Sequence, residues 1–192
     1  LRADLGTAFV ELADIDGDSI LDIFALNRVS ETISVFRGAG NGRFDFPTTQ
    51  AVAGFQHFAV ADIDGDGELD LAGALTNLDA VGVRFGNGDG TFGTMAVYPV
   101  GSAPIRVALR DVTGDGALDI VAANSRSQDV SVLRGAGDGT FSPARTYVAD
   151  AEPRRLAFGD IDEDGRLDIA VVSEGDAGAT VAVLRGREDG SF

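Results

Sequence analysis

The chain has 192 residues, 44% of them apolar, which is enough to bury a sizeable core, and it carries a net charge of −16. That charge argues against nucleic acid and anionic membrane as partners, and the fifteen basic residues, all Arg, are scattered without forming a basic patch. There is no Cys for a disulfide framework or thiolate metal site, and no apolar run approaches the roughly 18 residues of a membrane span, so no membrane insertion is expected.

In chain order, the first strand-like stretch ends at Ala13 and runs into Asp14–Asp22, DIDGDSILD. The same nine-residue loop returns as Asp62–Asp70 (DIDGDGELD), Asp111–Asp119 (DVTGDGALD) and Asp160–Asp168 (DIDEDGRLD). Its first aspartates lie 48, 49 and 49 residues apart, a period that predicts a repeat architecture.

Carboxylates at alternate positions of a tight loop suit a hard cation, and calcium takes six to eight oxygen ligands. The reading assigns side-chain oxygens at positions 1, 3, 5 and 9 and a backbone carbonyl at position 7. In the first loop these are Asp14, Asp16, Asp18, Ile20 and Asp22; in the second Asp62, Asp64, Asp66, Glu68 and Asp70. In the third they are Asp111, Thr113, Asp115, Ala117 and Asp119, and in the fourth Asp160, Asp162, Asp164, Arg166 and Asp168. Four unrelated residue types at position 7 fit a site that uses only the backbone there. An EF-hand requires Glu at position 12 and flanking helices. Position 12 here is Ala25, Gly73, Ala122 or Val171, and β-like runs follow each loop, so that reading fails. Up to four calcium ions are expected. Fifteen of the 31 acidic residues occupy positions 1, 3, 5 and 9, and four calcium ions would halve the net charge. Thr113 lowers the ligand charge of the third loop, which should bind most weakly. Ser19 stands where the other loops have Gly and should adopt a positive φ.

Each repeat continues through strand-like segments separated by turn signals. In the second they are Phe58–Ala61, Leu69–Leu75, Val81–Phe85 and Thr94–Val100. A second motif precedes the last of them: GAGNGRF ending at Phe44, GNGDGTF at Phe92, GAGDGTF at Phe141 and GREDGSF at Phe192. Its Asn-Gly or Asp-Gly pair predicts a hairpin turn with both residues at positive φ, and its Phe a packing anchor between repeats. Ahead of each metal loop stand large apolar pairs, Val10/Leu12, Phe58/Val60, Val107/Leu109 and Leu156/Phe158, with Glu11, Ala59, Ala108 and Ala157 between them. That alternation suits an innermost strand buried on both faces. The expectation is an all-β β-propeller of four-stranded antiparallel blades, spanning approximately 5–52, 53–101, 102–150 and 151–192, the last incomplete.

The loop D-x-D-x-D-G-x-L-D and the turn G-x-G-D-G-x-F resemble the FG-GAP/VCBS repeats of the integrin α-chain propeller and of many bacterial secreted proteins. The resemblance implies a propeller, usually seven-bladed, with calcium between the first and second strands of each blade. Four repeats then imply an arc of a larger ring, whose uncovered ends would meet the remaining blades or a second copy.

Alternating strand directions place the metal loops and Phe turns on one face and the more varied loops on the other, where a protein or glycan ligand is expected. The varied loops are 27–32, 76–80, 124–129 and 173–179, together with 55–57, 104–106 and 153–155. Phe9, His57, Arg106 and Arg155 occupy one equivalent position, five residues before each first Asp. The simpler expectation is that Arg106 and Arg155 pair with loop carboxylates. One His, no Cys and no Trp argue against a catalytic site. The favoured function is a non-enzymatic, calcium-stabilised extracellular scaffold for adhesion or binding. The alternative is an accessory or catalytic propeller of a secreted polysaccharide-active hydrolase or lyase.

Overall fold

The computed structural model describes residues 2–149, 151–175 and 178–192. Leu1 and two residues of the varied 173–179 loop therefore lie outside the described residues. Among the described residues, fifteen strands form four antiparallel sheets, each in simple chain order. The first contains β1 (Thr7–Ala13), β2 (Asp22–Asn27), β3 (Thr32–Phe36) and β4 (Thr48–Ala51). The second contains β5 (Phe55–Ala61), β6 (Asp70–Leu75), β7 (Ala80–Arg84) and β8 (Ala96–Pro99). The third contains β9 (Pro104–Arg110), β10 (Asp119–Asn124), β11 (Asp129–Leu133) and β12 (Arg145–Val148). The last has three strands, β13 (Glu152–Gly159), β14 (Asp168–Gly175) and β15 (Gly178–Leu184). These are the blades of a partial β-propeller, and the first strands of successive blades lie side by side along the axis. Among the described residues no helix is long and apolar enough to cross a membrane.

The sequence-based strand limits shift by a few residues. β5 begins at Phe55, three residues before the apolar alternation, because Phe55 pairs with Leu75 across a bulge. The segment read as a loop at 76–80 holds one 3₁₀ turn, Thr76–Leu78, before β7.

Core packing follows the alternation in the first strands. Phe58 and Leu71 turn toward the first blade, joining Phe24, Leu26, Ile33 and Val35. Their small neighbours Ala59 and Ala72 face the third blade, with Val107, Leu109 and Ile120. A third cluster joins Val121, Val130 and Val132 to Ile169, Val171 and Leu184. Fully burying each such side chain stabilises by about 1.5–3 kcal/mol, so the interblade layers account for most of the apolar driving force. The outermost strands β4 and β12 are largely exposed.

The Phe turns serve as the expected anchors: Phe92, Phe141 and Phe192 pack in the three successive interblade clusters. Their backbone departs from expectation. Only Asn41-Gly42 has both residues at positive φ (52° and 71°). In the other turns the Asp remains at negative φ and its carboxylate caps the turn. Asp89 Oδ1 accepts the Thr91 N–H at 2.9 Å, and Asp138 and Asp189 do the same for Thr140 and Ser191. An Asp that bonds the backbone two residues on makes its own turn without the left-handed conformation.

Candidate metal centres and the opposite rim

The position 1 aspartate organises each loop by accepting N–H groups from the residues it encloses. Asp62 Oδ1 takes the Gly65 N–H at 2.8 Å and Oδ2 takes Gly67 at 3.0 Å. Asp14 and Asp111 make the equivalent pairs, and Asp160 Oδ2 accepts Gly165. Position 5 carboxylates accept the N–H of position 7, as from Glu68 to Asp66 at 2.8 Å and from Ala117 to Asp115 at 3.0 Å. The strongly bent backbone turns the carboxylates inward. Ser19 holds φ 67°, as its place in the first loop requires, and Glu163 holds φ 61° at position 4 of the fourth. The second exception was legible from DIDEDGRLD, where Glu163 stands in the Gly place.

Carboxylate oxygens of Asp14, Asp16 and Asp18 all lie within 4.8 Å of one another, as do those of Asp62, Asp64 and Asp66. In the fourth loop Asp160, Asp162 and Asp168 converge in the same way, while Asp164 is turned to Arg166 at 2.8 Å. Asp111, Asp115 and Asp119 of the third loop form no such triplet among the described residues, as Thr113 occupies position 3. The Thr113 Oγ1 is nonetheless buried with no hydrogen-bond partner. Converging carboxylate oxygens are the donor set an oxygen-seeking cation requires, so the residues of the first, second and fourth loops fit the ion expected from sequence.

Position 9 has a second role that the sequence reading missed. Asp22, Asp70, Asp119 and Asp168 are at most 1% exposed. One oxygen of each accepts the N–H of loop position 2: Ile15 at 2.7 Å, Ile63 at 2.8 Å, Val112 at 3.0 Å and Ile161 at 2.9 Å. The other accepts the first Gly of the Phe turn: Gly38, Gly86, Gly135 or Gly186, at 2.7–3.0 Å. The aspartate thus locks the metal loop to the neighbouring hairpin on the same face. Burial pushes Asp70 and Asp119 above the usual carboxylate range, against the N–H bonds that favour their charge. At Asp168 the Gly186 N–H prevails and holds the carboxyl lower. A recurring Gly sixteen or eighteen residues after each of these aspartates was the available signal.

On the opposite rim every first strand has a register irregularity at its start, between Thr7/Phe9, Phe55/Phe58, opposite Ala123/Asn124, and between Pro153/Arg155. Bulges re-aim side chains, and these fall at the equivalent positions Phe9, His57, Arg106 and Arg155. The His57 ring lies 4.1 Å from that of Phe9. Burial, aided by the Arg106 and Arg28 charges, pushes His57 down to about 4. The expected pairing of Arg106 and Arg155 with loop carboxylates does not occur: among the described residues, ion pairs involve Arg37, Arg154, Arg166 and Arg185 instead. The metal loops lie at the far end of the first strands, out of reach of either guanidinium.

A family model for the FG-GAP-like repeat matches residues 14–73, 62–122 and 111–171. The sequence has no match among curated proteins. Among solved structures, the fold is similar to an Agrocybe aegerita lectin described as specifically recognising non-reducing terminal N-acetylglucosamine. The match has 26% identity and a TM-score of 0.63, covering 96% of this chain and 51% of the lectin, so this chain spans about half the lectin's length. It is also similar to the V. cholerae biofilm matrix protein Bap1, with 18% identity, TM-score 0.59, and 95% and 27% of the two chains covered. A third likeness is to the Photorhabdus luminescens Tc holotoxin pore, with 15% identity, TM-score 0.58, and 95% and 9% covered. The last two bear on fold alone.

Proposed function

The chain belongs to the FG-GAP-like repeat family, and from that premise we propose that it is a calcium-stabilised, non-enzymatic propeller scaffold that presents a glycan-binding face outside the cell. The observation that carries the calcium reading is the convergence of the Asp62, Asp64 and Asp66 oxygens within 4.8 Å, on a loop whose backbone is already bonded into shape. Three carboxylates so close repel one another, and a bound divalent cation supplies the neutralising charge. Asp62 and its equivalents shape the loop, position 3 and position 5 oxygens complete the donor set, and position 9 couples it to the Phe turn.

The glycan reading rests on the lectin likeness, which spans nearly all of this chain, and on the loop-rich face left free of metal-site residues. An extracellular setting suits this chemistry, because millimolar calcium fills even sites with dissociation constants of about 10⁻⁴–10⁻³ M. The non-enzymatic reading is supported by His57, the sole His, whose ring packs at a tilt against Phe9.

Titration calorimetry with calcium, followed by melting with and without chelator, tests the scaffold reading. At free calcium 100-fold above the dissociation constant each site contributes about 2.7 kcal/mol, so the melting temperature should fall clearly on chelation. No heat of binding and an unmoved melting temperature would overturn it.

A further inference from the structure

In a chain of net charge −16, three arginines from three different blades gather on the axial rim with no ion-pair partner among the described residues. Arg28 follows β2, Arg106 lies at the start of β9, and Arg155 lies in β13. They border two adjoining recesses of about 450 and 340 Å³ that share Arg106 and Arg155. Among the described residues, the carboxylates near this rim have other cations as neighbours. Glu174 lies 3.6 Å from Arg154, which also bonds Glu152 at 2.7 Å. Glu11, deeper along the axis, has Arg110 as its positive neighbour.

The fold holds two of the guanidinium groups in place. Arg28 Nε donates to the Gln56 carbonyl at 3.0 Å, and Arg106 Nε donates to the Arg154 carbonyl at 3.3 Å. Gln56 and Arg154 are equivalent residues within the strand-start bulges, where the ladder leaves their carbonyls free to accept. Each guanidinium has five N–H donors, so these bonds leave further donors open to the recess. Like charges held together repel. Burial, with the Arg155 and Arg28 charges, pushes Arg106 below its ordinary value. The strand-start bulges aim Arg106 and Arg155 at one recess that Arg28 and Arg154 also line, and against these four cations Glu174 is the one carboxylate among the described residues of the lining, which leaves counter-charge to a ligand.

We propose that Arg28, Arg106 and Arg155 form a carboxylate-binding subsite for an acidic saccharide. A planar guanidinium fork matches a carboxylate in two parallel hydrogen bonds. Val107, Leu156 and Phe158 supply the apolar lining for a sugar ring. The recess favours a saccharide over an acidic protein: about 450 Å³ of concave space suits a small ligand, whereas a stable protein partner covers a broad surface of about 800 Å² on each side. The proposal rests on the glycan-binding reading above.

The test is titration of the intact chain, at constant millimolar calcium, with a glucuronate-containing hyaluronan hexasaccharide and with its methyl ester, which has the same sugars without the charge. The acid should bind and the ester should not. R106Q and R155Q should each weaken the acid by about tenfold or more, the loss expected for one charge-assisted contact. R28Q, at an exposed loop residue, should weaken it in the same sense and serves if a strand variant fails to fold. Equal binding of acid and ester, unchanged in R106Q and R28Q, would overturn the arginine subsite while leaving the glycan reading standing. Binding of neither sugar would overturn both.

Discussion

The side-chain amide of Gln50 clasps the backbone of Phe92 across the first blade junction: Nε2 donates to the Phe92 carbonyl at 2.7 Å and Oε1 accepts the Phe92 N–H at 2.8 Å. Gln50 pairs with Ile33 in the outer strand, and the equivalents are Tyr98 opposite Val81 and Tyr147 opposite Val130. Those tyrosines meet the same turn through its ring. Tyr98 packs edge-on to Phe141 at 5.3 Å and Tyr147 to Phe192 at 5.4 Å. One outer-strand position therefore grips the next blade's Phe turn at every junction, by amide or by aromatic ring. Phe92→Ala should destabilise by about 3–5 kcal/mol, as for a buried Phe in a core. Gln50→Ala, which exposes two backbone groups to water but leaves the core intact, should cost about 1–2 kcal/mol. Denaturant unfolding of both variants checks the order, and a larger loss for Gln50→Ala would refute it.

The metal loops should differ in affinity. The second has three converging aspartates and Gly at both positive-φ positions; the third lacks a converging triplet because of Thr113. Calorimetry on Asp62→Ala should remove the tightest site, and Asp111→Ala the weakest. In the fourth loop Arg166 holds Asp164 at 2.8 Å in competition with any cation. Arg166→Ala should tighten that site by up to about fivefold, the range of an exposed ion pair.

Glu163 holds φ 61° where the three other loops have glycines at 72°, 79° and 76°. The left-handed conformation costs a non-glycine residue about 1–2 kcal/mol, while glycine loses about 0.5–1 kcal/mol through unfolded-chain entropy. The first term is larger, so Glu163→Gly should stabilise the folded chain by about 0.5 kcal/mol. Urea unfolding in calcium measures it, and a net destabilisation would show that Glu163 contributes an interaction of its own.

Much of this was legible in the sequence because it repeats. Asp62, Asp111 and Asp160 recur in step with Phe92, Phe141 and Phe192, so period and turn chemistry pointed to blades, loops and their shared face. The rim was harder to read. Arg28 lies in a varied loop with no equivalent arginine at the other loops, and its proximity to Arg106 depends on how four blades curve about one axis. The strand-start bulges also left no local sign: Gln56, Ile105 and Arg154 share no residue type. Pairing of Arg106 with loop carboxylates was a reasonable expectation from charge alone, and it failed because the first strand separates the two ends.

His57 gives the chain an acid sensitivity distinct from its metal loops. With a folded value of about 4 against an ordinary 6.5, the folded state binds fewer protons than the unfolded chain between those values. A depressed folded value means that stability is fully present above about pH 6.5 and is lost as pH falls toward about 4. The groups facing the ring are Phe9, Arg28 and Arg106. The loss should reach on the order of 2–3 kcal/mol by about pH 4. His57→Phe, which keeps the ring contact with Phe9, should flatten this part of the profile. Parallel profiles for the two proteins in saturating calcium would rule the contribution out.

The last expectation concerns the outer faces of the end blades. Val10 and Leu12 are 50% and 56% exposed, whereas the equivalent Phe58, Val107 and Leu109 are 0–4% exposed against a preceding blade. On the fourth blade Val181 and Val183 are 67% and 44% exposed on the face turned away from the third. The equivalence points to the kind of cover: each face presents residues whose equivalents in the inner blades are buried or half-buried against another blade of the same kind. Further blades of a longer chain, or a second copy of this one, would offer such a blade. Contiguous apolar faces of this sort are rare on soluble monomers, so light scattering on the 192-residue chain should detect association. Val10→Ser with Leu12→Ser should reduce it without disturbing calcium binding, because these side chains point away from the first core cluster. A stable monomer at concentrations of tens of micromolar, unchanged by the double substitution, would show that neither face seeks a partner blade.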